Sequence, residues 1–141
     1  MIRPIDVHAV LQQSVPGPYA DLVTRPTGRA VRERIELTLT DASVLRMDFT
    51  GVRCIDYSCA DEIVAKLLRT VQVLLLRGVT DAHRLAIEPV LQGHGLAVAI
   101  ETGAGLEVLG PPEAAALVAE ELLARRLAER TAGGTLALTA A

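Results

Sequence analysis

The sequence predicts an α/β protein: a single-layer α/β sandwich with a mixed sheet of four to five strands and helices packed mainly on one face. Three observations predict it. Val73-Leu-Leu-Leu76 is a short apolar run bounded by Gly78, the pattern of a central strand buried on both faces. Residues 60–71 before it repeat apolar side chains at helical spacing. Residues 44–49, earlier still, alternate as a half-buried strand does. Strand, helix, strand in that order makes a parallel crossover unit. Right-handed crossovers that progress in one direction place their helices on the same face.

Composition narrows the class further. Half of the 141 residues are hydrophobic but only 2% are aromatic, so Ala, Val, Leu and Ile must build the core. That leaves little aromatic surface on which bases could stack. With 14 basic and 17 acidic side chains the net charge is −3, and no nucleic-acid footprint shows. Thirteen of the basic residues are Arg, which we read as codon bias in a GC-rich genome. The opening Met-Ile-Arg-Pro-Ile-Asp has no apolar leader core, and no apolar run approaches the roughly 20 residues that span a bilayer. A soluble, cytoplasmic protein is expected. Cys54 and Cys59 are too few for a disulfide framework and read as reduced thiols.

The length suits one domain. Residues 1–18 read as an irregular N-terminal segment, 19–130 as the domain and 131–141 as a loose tail carrying Gly133-Gly134. Within the first segment Pro16-Gly17-Pro18 is a breaker, and the alternation of Ile5, Val7 and Ala9 allows a short edge strand. A second strand is expected over 19–24, closed by Arg25-Pro26-Thr27-Gly28. Residues 29–39 read as a helix capped by Thr27. Val31, Ile35 and Leu39 form its apolar stripe, and Arg32, Glu33 and Arg34 turn outward. Thr40-Asp41-Ala42-Ser43 turns the chain into the 44–49 strand.

Downstream, Ala60, Ile63, Val64, Leu67, Leu68 and Val71 mark the clearest helix, with Asp61 and Glu62 in its first turn. After the 73–77 strand, Thr80 or Asp81 caps a helix to Gly93, which Pro89 should kink or break near Leu85. Residues 96–101 and 106–109 form a hairpin around Thr102-Gly-Ala-Gly105. Pro112 opens the last helix, predicted to run to about Arg130.

The chemistry-bearing segment is Ile55-Asp56-Tyr57-Ser58-Cys59, between strand and helix. A hydroxyl there can be modified, and the helix dipole favours a phosphate at that position. Three carboxylates, Asp56, Asp61 and Glu62, oppose that charge.

This pattern resembles the signature of STAS domains, the fold of anti-sigma-factor antagonists. The strand Val44-Leu-Arg-Met-Asp48-Phe, the turn Gly51-Val52 and the loop 55–59 carry the likeness, followed by Leu74-Leu-Leu-Arg-Gly78-Val-Thr-Asp-Ala-His. The resemblance covers 20–130 in layout and about 44–78 in letters. It places Ser58 on the position phosphorylated in the antagonists and Asp56 on the acidic residue of that loop. Two departures add bulk: Cys59 stands where the family usually has Gly, and Tyr57 replaces the first Ser. The Asp61-Glu62 pair and the helix before the strand look closer to the divergent STAS-like branch.

The resemblance implies a non-enzymatic bacterial signalling module that acts in transcription regulation, needs no cofactor and is switched by phosphorylation of Ser58. Its protein partner would be an anti-sigma factor or a histidine-kinase-like ATPase. That partner would be met through Asp56, Tyr57, Ser58, Cys59 and Glu62 and the exposed side of the helix that follows.

Other readings stand beside it. Asp56 and Ser58 are both preferred N-cap residues, so Ser58 could serve only as a helix cap. In that case the chain is a structural or small-molecule-sensing subunit, with a ligand pocket between residues 1–24 and the sheet. A thiol enzyme using Cys59 would need a depressed thiol pKa, which Asp61 and Glu62 oppose, and position 65 is Ala where a phosphatase loop needs Arg. His8, His83 and His94 show neither a general-base arrangement nor a metal spacing.

Overall fold

The computed structural model describes residues 2–17, 20–39 and 44–139. The chain runs through β1 (Ile2–Asp6), α1 (Val7–Ser14), β2 (Asp21–Leu22), α2 (Arg25–Thr38), β3 (Val44–Asp48) and β4 (Cys54–Ile55). Next come α3 (Tyr57–Ala60), a π-helical turn (Asp61–Ala65), β5 (Val73–Arg77), α4 (Asp81–His94), β6 (Val98–Thr102) and β7 (Gly105–Leu109). α5 (Pro112–Ala124), β8 (Ala128–Arg130) and β9 (Leu136–Leu138) follow.

The α/β class is as predicted, but among the described residues the main sheet has seven strands and not four to five, in the order β1-β3-β5-β6-β7-β9-β8. β1, β3, β5 and β6 are parallel, and β7, β9 and β8 extend the sheet antiparallel. The three parallel connections all progress in one direction, which sets their helices on one face. Leu11, Ile35, Ile63, Leu67, Ile87 and Leu91 from those helices pack there on Leu45, Met47, Leu74, Leu76, Val98 and Ile100. One-face packing holds for these helices only. Leu122 of α5 lies on the opposite face, against Val44, Val73, Leu75 and Ala99. Alternate residues of β5 thus serve two cores, as its unbroken apolar run requires.

The termini differ most from expectation. Residues 2–14 are strand and helix, not an irregular segment, because Ile5, Val7 and Leu11 are buried. Pro4 fits because β1 is an edge strand, where a missing N–H is tolerated. The last helix stops at Ala124, short of Arg130. The chain reverses at Arg126 (φ 59°) into β8, and the expected tail supplies β9 through buried Leu136. α4 runs unbroken through Pro89, because Pro89 and Leu85 both face solvent and the carbonyl freed at Leu85 can meet water. The strand expected over 19–24 shortens to β2, Tyr19 lying outside the described residues, as does the expected 40–43 turn. The hairpin stands, with Thr102 paired to Gly105.

β2 and β4 form a small parallel pair of their own, Asp21 beside Cys54 and Leu22 beside Ile55. Asp56 N–H donates to Leu22 O at 2.9 Å, which extends the pairing by one residue. The two chain segments therefore leave side by side, and each enters a helix.

α4 is anchored by a buried histidine. Thr80 and His83 form a reciprocal cap: His83 N–H donates to Thr80 Oγ1 (3.1 Å), and Thr80 N–H donates to His83 Nδ1 (3.0 Å). The far side of the ring is 2.9 Å from Val52 O, so the bonds require a neutral ring with its proton on Nε2. Burial pushes the His83 pKa down, against the backbone bonds that favour charge. The unfolded chain therefore takes up a proton first. The contribution of His83 is complete above the unfolded value of about 6.5 and falls as pH drops toward the lower folded value. The urea midpoint of the parent should fall between about pH 7.5 and about pH 5.5 by more than that of His83→Gln. Equal falls would show that His83 has no part in the acid sensitivity.

Candidate functional site

Asp56, where β4 hands over to α3, is the node of the site. Its Oδ1 accepts from Cys59 N–H and from the Ser58 hydroxyl, both at 2.8 Å. Its Oδ2 accepts from Thr24 N–H at 2.9 Å. Asp56 alone is thus the N-cap of α3. Ser58 sits two residues inside the helix, with its hydroxyl aimed back at the cap carboxylate, so the capping role weighed for Ser58 belongs to its neighbour. Burial acts to raise the Asp56 pKa, but the bonds from Cys59, Thr24 and Ser58 outweigh it and leave the carboxyl below its ordinary value.

The helix begins at Tyr57 rather than at residue 60 and changes pitch at once. Lys66 N–H reaches Asp61 O, the i to i+5 bond of a π turn. Glu62, Ile63, Val64 and Ala65 are all buried, since α2 and α4 both pack against this turn.

Of the five expected contact residues, Tyr57 stands 50% exposed and Ser58 half-buried. Cys59 and Glu62 are fully buried, so neither side chain reaches the surface as the loop reading assumed. The Cys59 thiol donates to Thr24 O at 3.0 Å. Burial, with Asp56 beside it, pushes the thiol up to about 12, which is opposite to what a thiol nucleophile needs.

Glu62 lies beneath a cluster of cations. Arg25 Nη1 donates to Glu62 Oε2 at 3.0 Å, and Lys66 Nζ pairs with the same oxygen. Arg29 Nε and Arg32 Nη2 stand 3.5 and 3.6 Å from Oε1. Burial works to raise the Glu62 pKa, but Lys66 first, then Arg32 and Arg25, hold it below the usual carboxylate value. Asp61 is neutralised as well, by Arg25 Nη1 at 2.7 Å, and lies 2.8 Å from His94 Nε2. Two of the three carboxylates expected to oppose a phosphate on Ser58 therefore already have cationic partners, and Asp56 is left as the principal opponent.

The cationic cluster was not predicted, although its signal is in the sequence. Arg25, Arg29 and Arg32 are spaced i, i+4, i+7, one face of a helix. That face emerges only if the helix starts at 25, as α2 does, and not at 29 after a cap at Thr27. Arg32, expected to face outward, instead turns inward to Glu62 and Glu36.

Among the described residues, the space between the N-terminal segment and the sheet where a ligand pocket was expected is largely filled by side chains. Val7, Leu11 and Leu22 fill that space and are fully buried. A cleft of about 170 Å³ at the carboxyl ends of β1, β3 and β5, lined by Asp6, Arg46, Asp48 and Arg77, is smaller than ordinary small-molecule sites. Among the described residues no group of three or more His, Cys, Asp or Glu is placed to hold a metal ion, and no helix is long and apolar enough to cross a membrane. In comparisons with known proteins, no family model, no curated protein and no solved structure matches the chain.

Proposed function

We propose that this chain is a non-enzymatic, cytoplasmic regulatory domain of the STAS-like, anti-sigma-antagonist kind, switched by phosphorylation of Ser58. One observation carries the reading: the Ser58 hydroxyl is half-buried at a helix N-terminus and hydrogen-bonded to the carboxylate that caps that helix. Exposed Tyr57 beside it gives a partner something to grip. The partner is an anti-sigma factor or histidine-kinase-like ATPase that holds a nucleoside triphosphate. In the transfer, Ser58 Oγ bonds to the terminal phosphorus, the bond to the departing nucleoside diphosphate breaks, and the hydroxyl proton leaves to a base.

Magnitudes favour a switch over a resting phosphate site. The helix terminus stabilises a phosphate by about 0.3–1 kcal/mol when exposed and ~2 in good geometry. A like charge about 4 Å away costs ~4 kcal/mol at the effective dielectric of a protein surface. Asp56 is already in hydrogen-bond contact with Ser58 Oγ, and modification removes the proton that joined them. Repulsion therefore exceeds the dipole term, and the loop must rearrange.

Mass mapping of the protein purified from its native cells tests the reading. A substantial fraction carrying phosphate on Ser58 is expected. Unmodified Ser58 under every growth condition sampled overturns it.

A further inference from the structure

Thr24, at the junction of β2 and α2, has φ 70° and ψ 141°. That ψ lies outside the left-handed helical well, in a region that side chains other than glycine rarely enter, and a β-branched residue least of all. Such a conformation persists only where the surroundings over-determine it. Here four bonds do so. Thr24 N–H donates to Asp56 Oδ2 at 2.9 Å, and Thr24 O accepts from Gly28 N–H at 3.2 Å and from the Cys59 thiol at 3.0 Å. Its hydroxyl is hydrogen-bonded to that of Thr27 at 3.2 Å. Only the first bond ends on a group that also binds Ser58. A single carboxylate joins the modifiable hydroxyl to the strained backbone.

We propose that Thr24 is a strained hinge held by Asp56, and that phosphorylation of Ser58 releases it; this rests on the switch reading above. Once the hydroxyl proton is gone and the phosphoryl charge faces Asp56, the carboxylate turns away and Thr24 N–H loses its acceptor. The bonds to Thr24 O and to its hydroxyl remain, but the tie on its N–H is gone, and Thr24 relaxes toward a negative φ. The next residue, Arg25, ties the first turn of α2 to Asp61 and Glu62, so that turn moves with the hinge. The partner reads the change at half-exposed Val23 and Arg25 as well as at the loop that carries the phosphate.

Residue-resolved amide hydrogen exchange on the whole chain tests this, comparing the parent with Ser58→Glu and Asp56→Asn. Exchange at Thr24 should rise at least about tenfold in both variants, and that of Gly28 should rise with it, while amides of β3, β5 and β6 keep their parental rates. Unchanged Thr24 exchange in Ser58→Glu overturns the hinge, whatever Asp56→Asn does. A rise spread equally through β3, β5 and β6 also overturns it, since that reports global opening. Should Ser58→Glu not fold, Ser58→Asp takes its place. Because the exchange is read on variants in vitro, absence of phosphate from Ser58 in cells would remove the switch and leave the hinge coupling standing, and the reverse result would do the opposite.

Discussion

Glu62→Ala should lower the unfolding free energy by about 3 kcal/mol at neutral pH, more than the loss of any one of its cationic partners. Removing one member of a buried charge cluster costs about 3–5 kcal/mol when the charges left behind remain buried. Glu62 is fully buried, whereas Arg25, Arg29, Arg32 and Lys66 all keep part of their side chains in water. Losing the anion leaves four cations around one buried turn, with Asp61 beside Arg25 and Glu36 beside Arg32 to offset them. This, with partial rehydration, puts the cost at the low end of that range. Losing Lys66 or Arg29 alone leaves a carboxylate with three cations, and each should cost no more than about 1 kcal/mol. Urea unfolding of Glu62→Ala, Lys66→Ala and Arg29→Ala checks the order. A Glu62→Ala loss no greater than that of Lys66→Ala would sink this account. The Glu62 carboxyl lies below its ordinary pKa, so its contribution is complete above the unfolded carboxylate value of about 4.3 and fades as pH falls through the folded value.

The contrast between what the sequence shows and what it hides has physical causes. β3, β5 and the β6–β7 hairpin were legible because their patterns come from burial on one or two faces. Thr80 was legible as a cap because capping depends on residue type at a fixed offset. β9 was not, since three residues after Gly133-Gly134 carry too little pattern to separate a strand from a tail. The start of α2 at Arg25 is hidden because Pro26 and Gly28 have the residue types of a turn. Pro is welcome in a first helical turn, and Gly28 answers to a neighbouring helix rather than to a bend.

At the candidate site, Asp56 and Ser58 could be picked from the strand-to-helix spacing, since a polar residue at such a handover is a local feature. Glu62 was legible as a first-turn acid but not as a buried one. Its neighbours follow a helical period, and nothing in that period announces that residues 62–65 are buried in succession. Thr24 had no signal at all. Local preference argues against a β-branched residue at positive φ, so its conformation is imposed by Asp56, Cys59 and Gly28 from outside. Features set by tertiary contact override local propensity, and here they gather where the chemistry is placed.

Gly28 offers the sharpest check on that gathering, because the same substitution should have opposite signs at two helical glycines. A Cβ at Gly28 would lie 2.9 Å from Cys59 Cα, 3.1 Å from Cys59 Sγ and 3.2 Å from Glu62 Cβ. The nearest of these is backbone and cannot swing aside. A Cβ at Gly93 in α4 would meet nothing within 4 Å. Helix propensity alone favours Ala over Gly by up to ~1 kcal/mol, so Gly93→Ala should stabilise by a few tenths to about 1. At Gly28 that gain is outweighed. Overpacking costs about 1–3 kcal/mol, so Gly28→Ala should be destabilising on balance and Gly28→Val should lose about 3 kcal/mol. Thermal unfolding of the three variants decides it, and stabilisation by Gly28→Ala equal to that by Gly93→Ala would refute the close approach. The consequence reaches past stability. Forcing α2 away from Cys59 stretches the bond from the Cys59 thiol to Thr24 and the bond from Thr24 to Asp56, which lie beside the same contact. Gly28→Ala should therefore speed Thr24 amide exchange even with Ser58 intact, while Gly93→Ala should leave it unchanged.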